Sequence, residues 1–220
     1  DHLLSVTRGI LYLQLFLLPL FFLPFTLDLL DLNKQTLLLV LTFAAALTWI
    51  GAMMVAKHFS FRRGWVNSLP LLFLLAVGIS AWSSSAPFLS WIGGSSQEYT
   101  SFLTIAGLSV LFYLITNTLQ EKSQHRLLHL LLILSACLVG VIALLSVFGF
   151  SIPFLSAGSQ ALNTIGTVNS VGIYLIVTTL FSSTLWISHR RSDSLLYEGL
   201  CGVIEQTAMI LLFLLEFVYL

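Results

Sequence analysis

Residues able to do chemistry are few in this chain, and they gather in three places. The first is LNTIGTVNSVGIYL, Leu162 to Leu175, where Asn163, Gly166, Thr167, Asn169 and Gly172 crowd between two long apolar runs. Asn163, Thr164, Thr167 and Asn169 offer amide and hydroxyl groups suited to sugar hydroxyls or phosphate oxygens. Gly166 and Gly172 permit close backbone approach and unusual dihedrals. The second is SSSAPFLSWIGGSSQEYT, Ser83 to Thr100, whose one carboxylate is Glu98, followed by Tyr99. The third is the pair Glu205 and Glu216 in the last apolar run. Their spacing of eleven residues, at about 100° per residue, returns to nearly the same helix face. A carboxylate inside a bilayer is costly and is a functional candidate by default, which singles out Glu216, the one placed toward the outer half. The alternative is that Glu216, four residues from the end of the sequence, has another depth and a partner further along.

None of these groups names a reaction. The chain has no Walker-type loop, no HExxH, no GxSxG and no paired cysteine ligands. No catalytic residue is therefore assigned, and neither a metal nor another cofactor is expected. Cys137 and Cys201 lie in or beside apolar runs, form no metal or disulfide framework, and read as small buried hydrophobes.

The elements that position these residues are set by the solvent the composition demands. Hydrophobic residues make up 58% of the chain and charged residues 8%, with a mean hydropathy of +1.00. So little charge does not cover the surface of a water-soluble domain, so lipid is the expected surroundings. Nine basic residues balance nine acidic ones, leaving no basic footprint for nucleic acid. Seven apolar segments, at 9–30, 36–56, 65–83, 101–118, 127–149, 169–188 and 200–220, each approach the roughly 20 residues a bilayer-spanning helix needs. The expected fold class is an all-α integral membrane protein of about seven transmembrane helices. The run from Gly9 to Leu30 is too long for a signal-peptide core and lacks a cleavage site, so it reads as a retained first span. The chain starts without methionine and stops inside an apolar run, which suggests a piece of a longer protein.

With the N-terminus cytoplasmic, Arg8, Lys57, Arg62, Arg63, Lys122, Arg126, Arg190 and Arg191 fall inside and only Lys34 outside, as the positive-inside rule requires. The five histidines, His2, His58, His125, His129 and His189, share the inner side and read as solvated loop or helix-end residues. Both long connections, 84–100 and 150–168, then face outward. Each contains PFLS, read as similar turn chemistry with proline first and aromatics at headgroup depth. Pro19 and Pro24 imply a packing kink in the first span. Asp28, Asp31 and Lys34 suggest an interfacial cluster with local pairing, the alternative being that Asp28, the deeper of the two acids, faces a cavity.

The first stretch supports two readings. As a binding segment, its irregular backbone lines a wet cavity, and the helix starting near Asn169 turns its dipole and free amides toward an anionic headgroup. As plain structure, Asn169 or Ser170 caps the helix and the glycines let helices pack closely.

NTIGTVNSVGIYL resembles the GTxGNxNxxAxYL segment of the O-antigen ligase and polymerase-like membrane protein family, through Gly166, Thr167, Asn169, Gly172, Tyr174 and Leu175. Ser83 to Ser85, Trp91, Gly94 and Ser95 are similar to the serine-rich stretch, aromatic and GS of the family's first outer loop. The resemblance implies a GT-C-like glycosyltransferase, multi-pass in the bacterial inner membrane, whose partners are the bilayer and a polyprenyl-pyrophosphate-linked glycan. It also implies catalysis in a large outer loop further along than this chain reaches. Asn163, Gly166, Thr167, Asn169, Tyr174 and Glu98 become the candidate substrate-binding residues. Two departures stand out. Val168 replaces the proline of GNPN, and Gln97, Glu98 and Tyr99 stand where family members often have an arginine, which removes a phosphate contact. Two alternatives stay open, a permease or flippase and a non-catalytic membrane subunit. The scarcity of midplane charge in the first six segments counts against ion-coupled transport.

Overall fold

The computed structural model describes residues 2–21, 31–57, 64–94, 98–147, 165 and 168–190. Every regular element among them is helical: α1 (His2–Leu17), α2 (Asp31–Ala56), α3 (Ser68–Trp82), α4 (Pro87–Trp91), α5 (Phe102–Thr118), α6 (Lys122–Val147) and α7 (Val168–Arg190), with 3-10 turns at Trp65–Asn67 and Glu98–Thr100. Two of these, in the stretches Leu32–Ala56 and Lys122–Leu145, are long and apolar enough to cross a membrane. The segment 200–220 and, with it, Glu205, Glu216 and Cys201 lie outside the described residues, as do Pro24, Asp28, His58, Arg62, Arg63 and Arg191.

The chain divides into two compact units. One comprises Asp1–Gln14 with Phe25–His125, the other Leu15–Pro24 with Arg126–Leu220. In the first, α2 and α5 meet along matched stripes. Leu38, Thr42, Ala45 and Ala52 are buried on α2, and Thr104, Gly107, Leu111, Leu114 and Thr118 on α5. Steps of three and four residues make each stripe the narrow seam of two helices crossing at a shallow angle. A Cβ on Gly107 would stand 2.9 Å from Leu39 Cδ2, so the absence of a side chain there sets how closely the two helices approach. Gln14 of α1 reaches the same stripe of α2, donating to the Leu38 carbonyl at 3.2 Å and to Thr42 Oγ1 at 2.8 Å. Thr7 and Thr48 share a 2.9 Å hydroxyl bond. Polar pairs of this kind hold helices together where lipid removes the hydrophobic drive.

Local chemistry explains the element ends. Ser101, in extended conformation, caps α5 by accepting from the Thr104 amide at 3.3 Å, which satisfies an orphan donor of the first turn. Gln124 reaches back from the third position of α6 to accept from the Glu121 amide at 3.4 Å, half of a capping box. Helix α1 ends at Leu17, and Pro19 lies in the turn that follows. The expected kink is thus a helix end, because a proline disfavours helical backbone in the residue before it. Pro87 sits at the start of α4, where its missing N–H costs nothing, so the first PFLS opens a short helix rather than a simple turn. The second PFLS lies outside the described residues.

In the second unit, Ile133, Ala136, Val139 and Ala143 of α6 bury against Val171 and Leu175 of α7, with Cys137, Ile165 and Tyr174 packed around them. The small residues on α6 allow close approach. One expectation fails here. His129 is buried, with its ring edge-on to Phe181 at 6.2 Å. Because α6 begins at Lys122, His129 lies two turns inside the helix, on the face that continues through Ile133 and Ala136, and not at a solvated end.

Candidate functional site

A concave polar site among the described residues belongs to the first unit. The end of α3, the connection to α4, and Thr100 enclose an open cleft of about 440 Å³ lined by Val77, Ser80, Ala81, Ser83, Ser84, Ser85, Leu89, Ser90 and Thr100. Its walls form for local reasons. The Ser83 amide closes the last turn of α3 on the Ile79 carbonyl at 3.1 Å. Ser84 Oγ then accepts from the Ala86 amide at 3.2 Å and from Ser90 Oγ at 2.6 Å. The first bond shapes the turn before Pro87, and the second ties that turn to α4. Gly93, at φ 95°, ends α4 in a left-handed conformation that suits glycine. Gly94 lies against Leu89, where an added Cβ would be 2.9 Å from Leu89 Cδ2.

Beneath this connection lies a buried polar knot that spacing in the sequence does not reveal. Gln35 Nε2 of α2 lies 2.9 Å from the Ile92 carbonyl, 3.1 Å from Ser101 Oγ and 3.0 Å from Thr104 Oγ1. It joins three parts of the unit: the residue after α4, the cap of α5 and α5 itself. Trp91 packs edge-on against Phe102, with centroids 4.7 Å apart, and does not stand free at headgroup depth. Phe88 does stand free, 69% exposed. The sequence signals were slight. Ser101 and Thr104 have cap spacing, and Asn33, Lys34 and Gln35 interrupt the apolar pattern at the start of α2. All three of these are buried; Asp28 and the Asp31 side chain, the other members of the expected interfacial cluster, lie outside the described residues.

The sequence-derived candidates are distributed unevenly. Glu98 opens the 3-10 turn Glu98–Thr100 that leads into α5, close in the chain to the cleft-lining Thr100; its side chain lies outside the described residues. Asn163, Gly166 and Thr167 lie outside them too, as does Ser95. Asn169 falls in the first turn of α7, which starts at Val168, so neither Asn169 nor Ser170 is the residue preceding the helix that capping calls for. The Asn169 side chain is not among those described. Tyr174 points into the α6–α7 interface, its hydroxyl 3.3 Å from Ser135 Oγ. A Cβ on Gly172 would meet nothing within 4 Å, so close helix packing among the described residues does not explain that glycine. No group of three or more metal-ligating side chains occurs among the described residues.

Chemically the cleft offers hydroxyl donors and acceptors beside apolar side chains, and none of its described lining residues is ionisable. Such a surface suits binding and orienting a ligand. No family model, curated protein or solved structure matches the chain.

Proposed function

We propose that this chain is a multi-pass protein of the bacterial inner membrane, with about seven transmembrane helices and a cytoplasmic N-terminus. In this reading it forms the membrane part of an O-antigen ligase or polymerase-like glycosyltransferase with a GT-C-like fold. Its substrate is a glycan carried on polyprenyl pyrophosphate, presented at the outer face. An acceptor group attacks the anomeric carbon, the bond to the pyrophosphate oxygen breaks, and the lipid pyrophosphate departs. That chemistry needs no nucleotide sugar.

Two features support lipid as the surroundings. Of the apolar stretches in α2 and α6, only 17% and 39% of residues are buried within the protein, whereas a core helix of a soluble protein is mostly buried. Helix α3 is apolar all round and exposes Leu69, Leu71, Leu72, Phe73, Leu75, Ile79 and Trp82, a surface that water penalises and acyl chains accept. The observation that carries the functional reading is the hydroxyl-lined cleft at the end of that same apolar helix. A lipid-linked sugar needs apolar surface for its carrier and polar surface for its glycan, side by side.

Deleting the gene and profiling surface glycans with their lipid-linked precursors tests this reading. The expected outcome is loss of a surface glycan with its lipid-linked form accumulating in the outer leaflet. Accumulation in the inner leaflet would instead mark a flippase, and an unchanged profile removes both.

A further inference from the structure

We infer that the cleft between α3 and α4 is a subsite for an uncharged sugar ring of the glycan, and that the pyrophosphate is held elsewhere. The inference rests on the lipid-linked-glycan reading and narrows which part of that substrate this cleft takes. Six of its lining residues, Ser80, Ser83, Ser84, Ser85, Ser90 and Thr100, carry hydroxyls, and Val77, Ala81 and Leu89 complete it. Hydroxyls both donate and accept, which matches a ring whose own hydroxyls do the same, and the three apolar side chains suit its C–H face. A volume of about 440 Å³ lies in the range of small-ligand sites.

Charge argues against the anion. Pyrophosphate leaves water only when cations or several converging backbone amides replace its hydration. None of the described lining residues is Lys or Arg, and α4 is only five residues long, too short to present a useful dipole. Glu98 adds a carboxylate to the same connection. The hydroxyls are also sorted into two roles. Ser84 and Ser90 are spent on each other and on the turn. The side-chain hydroxyls of Ser80, Ser83 and Ser85 make no hydrogen bond among the described residues and are free to meet a ligand. Gln35 holds the far end of the connection through the Ile92 carbonyl, so the cleft is preformed.

The test uses the purified full-length chain in lipid nanodiscs and saturation-transfer NMR. The probes are N-acetylglucosamine, galactose and rhamnose, with inorganic pyrophosphate as competitor. At least one saccharide is expected to bind and to persist in excess pyrophosphate. Ser80→Leu, which fills the cleft from an exposed position, is expected to abolish binding, and Ser80→Thr to preserve it. Because Ser80→Leu also alters a helix, Ser83→Ala with Ser85→Ala serves as a second variant; each lost hydroxyl contact is expected to weaken binding about fivefold. The inference is overturned if no saccharide binds, if pyrophosphate displaces the bound sugar, or if the double variant binds as well as the parent. Its failure is distinguishable from failure of the functional reading. Absent saccharide binding alongside a deletion phenotype removes only the subsite, and saccharide binding without that phenotype removes only the transferase.

Discussion

Gln35 is the side chain that ties the 83–100 connection to the helices beneath it. Its amide faces a carbonyl and two hydroxyls drawn from positions 57, 66 and 69 residues further along the chain. That is why the sequence hides it. Beside Asn33 and Lys34, at the mouth of an apolar run, it looks like one more polar residue meeting headgroups, and only tertiary structure supplies the acceptors. Replacing it with leucine keeps the volume but leaves the Ile92 carbonyl without this donor. A buried group stripped of its partner costs about 1–3 kcal/mol. Gln35→Leu is therefore expected to lower the thermal unfolding midpoint in detergent by several degrees and to weaken saccharide binding. Gln35→Glu gives Ser101 and Thr104 an acceptor but still offers nothing to Ile92 when ionised, so it is expected to keep the bundle better than it keeps the cleft. An unfolding midpoint unchanged by Gln35→Leu would show that the connection is held by other contacts.

Helices were the most legible part of this chain, because apolar runs of span length leave the backbone no partners but its own. The runs 36–56, 65–83, 101–118, 127–149 and 169–188 coincide with α2, α3, α5, α6 and α7 to within a few residues. What the one-dimensional pattern misses is where a run is punctuated and which face is buried. Pro19 ends a helix that composition alone continues, and the serine-rich connection hides the short helix α4. His129 looks like a helix-end residue until the start of α6 is known. The cleft was legible as a run of hydroxyls and illegible as a cavity. Glycines divide in the same way, since Gly107 and Gly172 look alike in sequence. At Gly107 a Cβ would press on Leu39, and at Gly172 it would meet nothing within 4 Å among the described residues. Gly107→Val is expected to force α2 from α5 and cost about 1–3 kcal/mol through overpacking. Gly172→Ala is expected to gain about 0.5–1 kcal/mol from helix propensity. Unfolding of both variants in detergent checks the contrast. A Gly172→Ala protein that is stable but no longer transfers glycan would assign that glycine to substrate, whereas equal destabilisation at both positions would refute the packing account.

At the scale of the whole molecule, the proposed function turns on one physical choice, namely which side of the bilayer each connection would face. In the proposed topology, Lys122, Lys57 and Arg8 face one side and the hydroxyl cleft the other, the arrangement that the cost of carrying cations across lipid during insertion would select. Solvent accessibility tests that choice without any assumption about catalysis. Ser85 is exposed in the 83–100 connection, and Ser123 is exposed at the start of α6, at opposite ends of α5. With Cys137 and Cys201 changed to alanine, Ser85→Cys is expected to react with a membrane-impermeant maleimide in intact spheroplasts. Ser123→Cys is expected to react only after permeabilisation. Neither position is buried, so failure to label reports sidedness and not packing. Were Ser123→Cys the one labelled from outside, the cleft would face the cytosol, where a lipid-linked glycan is assembled and not transferred. The carrier-borne sugar would then never meet it at the proposed stage.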